Sequence, residues 1–245
     1  MAQTAVVIMA KAPQAGTVKT RLCPPLSPQT AASLYRAFLL DKIAQVGELA
    51  HAQATLAYTP AESRAVFAEL APHCLLIPQQ GAELGERLHN SFARCFAAGY
   101  TSVLAIDSDT PNLPTAYLQQ AVDLIAAPQT DMVIGPTEDG GYYLIGMRQF
   151  HGRLFEAIDW STERVFRQTI ARAGEIGLPV AALAEWYDVD DEASLIRLAR
   201  ELFCSPKAAG SQSGGYAAPR TTALFERLAA TNSAVRQLLT DYGNS

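Results

Sequence analysis

Four short segments carry residue types and spacings that could do chemistry. The first, Lys11 to Arg21 (KAPQAGTVKTR), sets Lys11, Lys19 and Arg21 around Gly16. Backbone amides of a glycine-containing turn can cradle phosphate oxygens, and Lys or Arg side chains can neutralise their charge. A solvated basic loop would have the same composition. The spacing is neither that of a Walker A loop nor that of a dinucleotide fingerprint. The second segment, Asp107-Ser108-Asp109-Thr110-Pro111, sets two carboxylates two residues apart. Mg2+ and Mn2+ prefer oxygen ligands and share them with phosphates; a turn capped by aspartates would look alike. The third, Tyr187-Asp188-Val189-Asp190-Asp191-Glu192, could complete a metal shell if folding brings it to Asp109. Asp190 or Asp191 could equally cap the helix that follows. In the fourth, Glu138-Asp139-Gly140-Gly141-Tyr142-Tyr143, paired glycines allow a close backbone approach to a ligand. There Asp139 could meet a sugar hydroxyl or a metal, and Tyr142 offers a flat face. Asp-Gly and Gly-Gly are also ordinary turn dipeptides. Weaker candidates are the loop with Gly81, Glu83, Gly85, Glu86 and Arg87, and Trp160-Ser161-Thr162. The histidines are isolated, and no Gly-x-Ser-x-Gly elbow occurs.

The elements that must position these residues can be read from hydrophobic period and punctuation. Strands are expected at Thr4 to Ala10, Ala54 to Tyr58, Leu75 to Ile77, Ser102 to Ile106, Asp131 to Ile134 and Tyr142 to Ile145. Ser27 caps and Pro28 opens a helix whose apolar residues run from Ala31 past Ile43. Further helices are expected at Ala61 to Leu70, from Leu84 to a stop at Gly99, at Pro114 to Ala126, Gly152 to Ile158, Ser161 to Ala173 and Asp191 to Leu202. Strand–helix alternation is the signature of a mainly parallel sheet covered on both faces. Ligands in such folds lie beyond the carboxyl ends of the strands, where the candidate loops fall. The composition of 205–219 (SPKAAGSQSGGYAAP) reads as a flexible linker. A helical pattern resumes over Thr221 to Leu239, and residues 220–245 form a C-terminal extension to a domain of residues 1–204.

The chain has 245 residues and a net charge of −5, with 49% hydrophobic and 18% charged residues. That is a globular composition, long enough for a full core. The acidic balance argues against nonspecific nucleic-acid binding. No apolar run reaches the roughly 18 residues of a membrane span, and the start lacks a charged leader. The scattered Cys23, Cys74, Cys95 and Cys204 show no metal spacing and read as reduced thiols. The cytoplasm is the expected compartment.

Several segments, in their order and spacing, resemble a known family. They are Met9-Ala10-Lys11-Ala12-Pro13 through Gly16, Lys19-Thr20-Arg21-Leu22, Leu84-Gly85-Glu86-Arg87, and Asp109-Thr110-Pro111-Asn112-Leu113. Gly135-Pro136 through Asp139-Gly140-Gly141-Tyr142-Tyr143-Leu144-Ile145-Gly146, Trp160-Ser161-Thr162 and Asp188-Val189-Asp190 complete the set. The family is that of bacterial glycosyltransferase-like proteins with the GT-A, nucleotide-diphospho-sugar transferase fold, a former domain of unknown function (DUF2064-like). The resemblance covers about residues 4 to 202. Through Lys19-Thr20-Arg21-Leu22 it extends to the guanylyltransferases of phospholactate and molybdenum cofactor biosynthesis.

The resemblance implies a three-layer α/β/α fold with a mainly parallel mixed sheet and nucleotide over its first half. It implies nucleotide contacts from Ala10, Lys11, Gly16, Lys19, Arg21, Gly85, Arg87, Asp107, Gly140, Gly141 and Tyr142. A divalent cation, Mg2+ or Mn2+, is expected on Asp109 and Asp190, with Asp188. Lys19, Arg21 and Asp109 are the expected catalytic groups, with Asp139 orienting an acceptor. The implied activity is metal-dependent glycosyl transfer from a nucleotide-sugar to an unknown small-molecule acceptor. Nucleotidyl transfer from a nucleoside triphosphate to a phosphorylated acceptor is the alternative, and a non-catalytic nucleotide-binding protein the alternative of another class. A homodimer is compatible with the fold.

Overall fold

The computed structural model describes residues 4–203, 214–231 and 236. Seven strands form one sheet: β1 (Thr4–Lys11), β2 (Ala52–Thr59), β3 (Leu75–Pro78), β4 (Ser102–Ile106), β5 (Met132–Pro136), β6 (Tyr142–Met147) and β7 (Val180–Ala182). Their order is β3-β2-β1-β4-β6-β5-β7. The β3-β2-β1-β4 half is parallel throughout; β6 runs antiparallel to both β4 and β5, and β7 parallel to β5. The sheet is thus mixed and mainly parallel. β1 lies inside it because its apolar run can be buried on both faces. Val6, Ile8 and Ala10 enter one core, while Ala5 and Val7 enter the other.

Helices α1 (Pro28–Gly47), α2 (Arg64–Leu70) and α4 (Thr115–Ala126) cover the first face through Leu39, Phe67 and Leu118. Helices α3 (Leu84–Ala97) and α5 (Val165–Glu175) cover the second through Phe92 and Ala173. The α1 helix starts as its sequence predicts, with Ser27 Oγ accepting from Thr30 N at 3.1 Å. It is buried along most of its length because it is covered twice. Its outer side, with Leu34 and Phe38, forms a third core with α6 (Glu192–Phe203) and α7 (Pro219–Thr231).

The C-terminal helix packs back on the body, and a buried carboxylate holds its start. Asp41 accepts from Arg220 N (3.0 Å), Thr221 N (2.8 Å) and Thr221 Oγ1 (2.7 Å). The first two are amides that a helix N-terminus leaves unpaired. Gly215 and Tyr216 lie against Asn112, Tyr216 N donating to Asn112 O at 2.9 Å. Most of the linker-like stretch, with Cys204, lies outside the described residues, as does the end of the helical pattern beyond Thr231.

Three expectations are corrected. The helix expected over 152–158 is only a 3-10 turn, Gly152–Phe155, because Ala157 takes a left-handed φ of 52°. The helix expected from Ser161 starts at Val165, since Ser161 has φ 64°. The short β7 was not expected at all: its three residues, VAA, carry no period. Among the described residues, no helix is long and apolar enough to cross a membrane.

Candidate active site

The ends of β1 and β4 are tied together from below. Tyr35 on α1 accepts from Lys11 N (2.9 Å) and shares a hydrogen bond with Ser108 Oγ (2.9 Å), and Ser108 Oγ donates to Met9 O (3.1 Å). Burial, then the Asp109 charge, pushes the Tyr35 hydroxyl up to about 12, so it stays protonated. Just past β4, Asp107 Oδ1 accepts from Thr110 Oγ1 (2.7 Å) and Asp109 N (3.3 Å). This turn spends one carboxylate on itself and leaves the Asp109 carboxylate free to face Lys19.

Lys19 joins the distant segments. Its Nζ lies 2.5 Å from Asp109 Oδ1 and 2.8 Å from Asp190 Oδ1, and its side chain is 4% exposed against 36% and 46% for the two carboxylates. Burial works against the ammonium charge, but Asp109 and Asp190 outweigh it and raise its pKa. The 187–190 segment reaches the turn through Val189 N, which donates to Asp109 O at 3.0 Å. The helix cap is Asp191, not Asp190: its Oδ1 accepts from Ser194 N at 2.8 Å. That leaves Asp190 to pair with Lys19.

Asp188 lies beside Asp107. Burial first, then repulsion from Asp107 and Asp109, pushes its carboxyl well above the usual range, and its Oδ1 is buried without a hydrogen-bond partner. Beneath the turn is Lys42, fully buried, with Nζ donating to Thr110 O (2.8 Å), Thr110 Oγ1 (3.2 Å) and Gln45 Oε1 (3.1 Å). Burial lowers its pKa to about 8, against the pull of Asp107 and Asp188.

A cavity of about 660 Å³ opens above these groups, at the carboxyl ends of the parallel strands. Of the expected site residues, Ala10, Lys11, Lys19, Arg21, Arg87, Asp107, Asp109 and Asp190 line it. Arg87 is already engaged, through Nε to Gly81 O (3.0 Å) and Nη2 to Ala82 O (3.1 Å). A second cavity of about 460 Å³ shares Arg21 and Asp190 with the first and adds Asp139 and Asp188.

Five expected contact residues, Gly16, Gly85, Gly140, Gly141 and Tyr142, line neither cavity. Gly85, Gly140 and Gly141 serve the protein's own packing. A Cβ at Gly85 would collide with the Trp160 indole, one at Gly140 with the Glu163 backbone, and one at Gly141 with Thr137 Oγ1. Tyr142 packs edge-on against Trp160, with ring centroids 6.5 Å apart. The 137–141 loop is a hairpin between β5 and β6, and Asp139 Oδ1 is held inside it by Thr137 Oγ1 (2.6 Å) and Gly141 N (3.0 Å). Sequence reading passed over Tyr35, Lys42, Gln79 and Arg197. For Lys42 there was a signal, a charged residue in the apolar stretch FLLDKIAQV.

A model of the family described as uncharacterized proteins conserved in bacteria (DUF2064) matches residues 42–162. A chain from Desulfovibrio desulfuricans G20, named a "putative nucleotide-diphospho-sugar transferase", is 32% identical; the match covers 97% of this chain and 99% of that one, with a TM-score of 0.83. The chain belongs to the DUF2064 family. Two more distant structures share this DUF2064 protein's fold. CMP:2-keto-3-deoxy-manno-octonic acid synthetase, complexed with CTP, is 12% identical over 80% of this chain and 96% of its own, with a TM-score of 0.53. The other, 4-diphosphocytidyl-2C-methyl-D-erythritol synthase, is 11% identical over 81% and 98%, also with a TM-score of 0.53. None of the curated proteins matches the sequence.

The DUF2064 donor set suits a hard divalent cation in its chemistry. Asp109 and Asp190 turn oxygens toward one point, and the buried Asp188 Oδ1 lacks a partner. No three of the described His, Cys, Asp or Glu side chains converge as they would around an ion, and the Lys19 ammonium occupies the point between Asp109 and Asp190. A cation on these oxygens would have to displace the Lys19 ammonium.

Proposed function

We propose that this DUF2064 protein is a metal-dependent glycosyltransferase that draws its sugar from a nucleoside diphosphate-sugar. The observation that carries the reading is the Lys19–Asp109–Asp190 constellation, set where a nucleotide-sized cavity meets a second cavity through Arg21 and Asp190. The family and the fold support a transferase-like role in general.

In this reading the first cavity holds the nucleoside diphosphate. Lys19 and Arg21 neutralise charge that grows on the departing diphosphate in a partly water-excluded site. Asp109 and Asp190, with Asp188, would hold a divalent cation, which when bound supplies Lewis-acid stabilisation of the leaving group. The second cavity takes the acceptor. Of its carboxylates, Glu138 is paired with Arg197 Nη1 at 2.8 Å and Asp191 caps α6. Asp190 is paired with Lys19 and the Asp188 carboxyl is held neutral, which leaves Asp139 beside Arg21 as the carboxylate to meet an acceptor hydroxyl. Asp139 is fixed through Oδ1, which leaves Oδ2 to orient such a hydroxyl. One observation favours nucleotidyl transfer instead: Arg21 borders both cavities, where it could hold an acceptor phosphate attacking a nucleoside triphosphate.

The test is a thermal-shift and turnover screen of nucleoside diphosphates, triphosphates and nucleotide-sugars, with and without Mg2+ or Mn2+. A metal-dependent shift larger for one nucleotide-sugar than for its parent diphosphate supports the proposal. A shift with triphosphates alone moves the assignment to nucleotidyl transfer. A folded Asp109→Ala protein that keeps full metal-dependent turnover overturns the metal assignment.

A further inference from the structure

The end of the first cavity remote from Asp109 has a chemistry of its own. In the sheet, β2 and β1 separate the carboxyl end of β3 from that of β4. At about 4.8 Å per strand the two ends lie about 14 Å apart. The Lys19, Asp109 and Asp190 charges gather at the β4 end. At the β3 end the wall is made by Gln79, Ala82, Glu83 and Leu84. A nucleotide whose phosphates face Lys19 and Arg21 therefore lays its base on this wall. Leu84 is 43% exposed, a bare apolar side chain of the kind a flat ring covers.

Gln79 is locked in one orientation. Its backbone N–H donates to Tyr58 O at 2.8 Å, just beyond the end of β3. Its Nε2 donates to Ala57 O at 2.8 Å and to Ala10 O at 3.2 Å. Both amide hydrogens are thereby used, and turning the amide over would set Oε1 against two carbonyl oxygens. Oε1 is the group Gln79 has left to offer the cavity. Glu83 adds a carboxylate to the same wall, also an acceptor. Arg87, beside them, already donates to Gly81 O and Ala82 O, so Gln79 and Glu83 are the side chains of this wall that ask for N–H donors.

We propose that Gln79, with Glu83, reads the edge of the nucleobase, and that the site takes nucleotides whose base carries an exocyclic amino group in preference to uridine nucleotides. This rests on the reading of the first cavity as a nucleotide site. Cytosine, adenine and guanine each present an amino donor, whereas uracil flanks its single N–H with two carbonyl oxygens that would face acceptors. A site built to receive a donor discriminates against the analogue that lacks it, because its own acceptor is left unpaired.

Binding of CDP, GDP, ADP, UDP and IDP, each with Mn2+, measured by titration calorimetry, tests this. Pyrophosphate with Mn2+ serves as the reference for the phosphate end. At least one amino-bearing diphosphate should bind about tenfold more tightly than its amino-free counterpart, UDP for CDP or IDP for GDP and ADP. Gln79→Met or Glu83→Gln should shrink that ratio toward one while pyrophosphate binding holds. The ligand pairs alone decide the matter should the Gln79 variant fail to fold. UDP binding as tightly as every amino-bearing diphosphate overturns this inference and leaves the nucleotide site standing. So does a ratio that survives in both variants. Failure of pyrophosphate and all five diphosphates to bind overturns the nucleotide site itself, and this inference with it.

Discussion

The turn at 107–110 and the hairpin at 137–141 both follow a strand with acidic residues, and they use them in opposite ways. In the first, Asp107 satisfies Thr110 and the Asp109 amide, so that Asp109 faces the cavity beside Lys19. In the second, Asp139 turns its Oδ1 inward onto Thr137 and Gly141, and the glycines admit Glu163 and Thr137 rather than a ligand. Both contain carboxylates at a strand end. What separates them is whether the local turn leaves a carboxylate unused, and whether a distant cation meets it.

The largest expected difference is in turnover. Asp109→Ala should lower metal-dependent turnover by about 100- to 1000-fold with the melting temperature little changed. Asp139→Ala should cost about 1 kcal/mol of stability and leave turnover within about tenfold. Steady-state kinetics and urea melts of the pair check this; equal kinetic losses would erase the contrast. Next comes the backbone. Gly140 has φ 87° and no room for a Cβ, whereas Gly16 has φ 80° and open space around it. Gly140→Ala should therefore destabilise by more than about 2 kcal/mol, and Gly16→Ala by about 1 kcal/mol.

Lys19 sharpens the comparison from the cation's side. With its ammonium removed, the Asp109–Asp190 pair loses its resident charge. Lys19→Gln should bind Mn2+ about tenfold more tightly without nucleotide, read by electron paramagnetic resonance of free Mn2+, while diphosphate binding weakens. Unchanged Mn2+ affinity would mean that the ion does not use these oxygens. The smallest effect belongs to Lys42, which lies under the first turn. Its folded pKa of about 8 is below the ordinary lysine value of 10.5, so between those pH values the unfolded chain binds more protons. Stability contributed at this site therefore rises with pH across that window. Melting temperatures of wild type and Lys42→Met at pH 7.5 and pH 10 should differ in that sense, with wild type gaining relative to the variant.

Much of the fold was legible because local forces write it. The strand at Ser102–Ile106 and the helix start at Ser27-Pro28 appear where hydrophobic run and cap place them. The site was legible in part: Lys19, Asp109 and Asp190 were candidates by type. Equal candidates by composition, Gly140, Gly141 and Tyr142, belong to packing. Gln79 and Tyr35 gave no signal, since a glutamine after a strand and a tyrosine in an apolar helix are ordinary.

By itself the sequence determined most of the strands and helices, and that charged loops fall at strand ends. Periodicity, caps and turn dipeptides act over a few residues, so they can be read without the rest of the chain. Tertiary structure decided which carboxylates meet. Lys19 and Asp190 are 171 residues apart, and they touch because β1 and β4 are neighbours and Val189 hydrogen-bonds to the Asp109 carbonyl. It also decided that β7 is a strand, since only pairing with β5 makes three residues hold one. Such contacts depend on sheet order and on the burial that pairs charges, and neither is a property of any short stretch of chain.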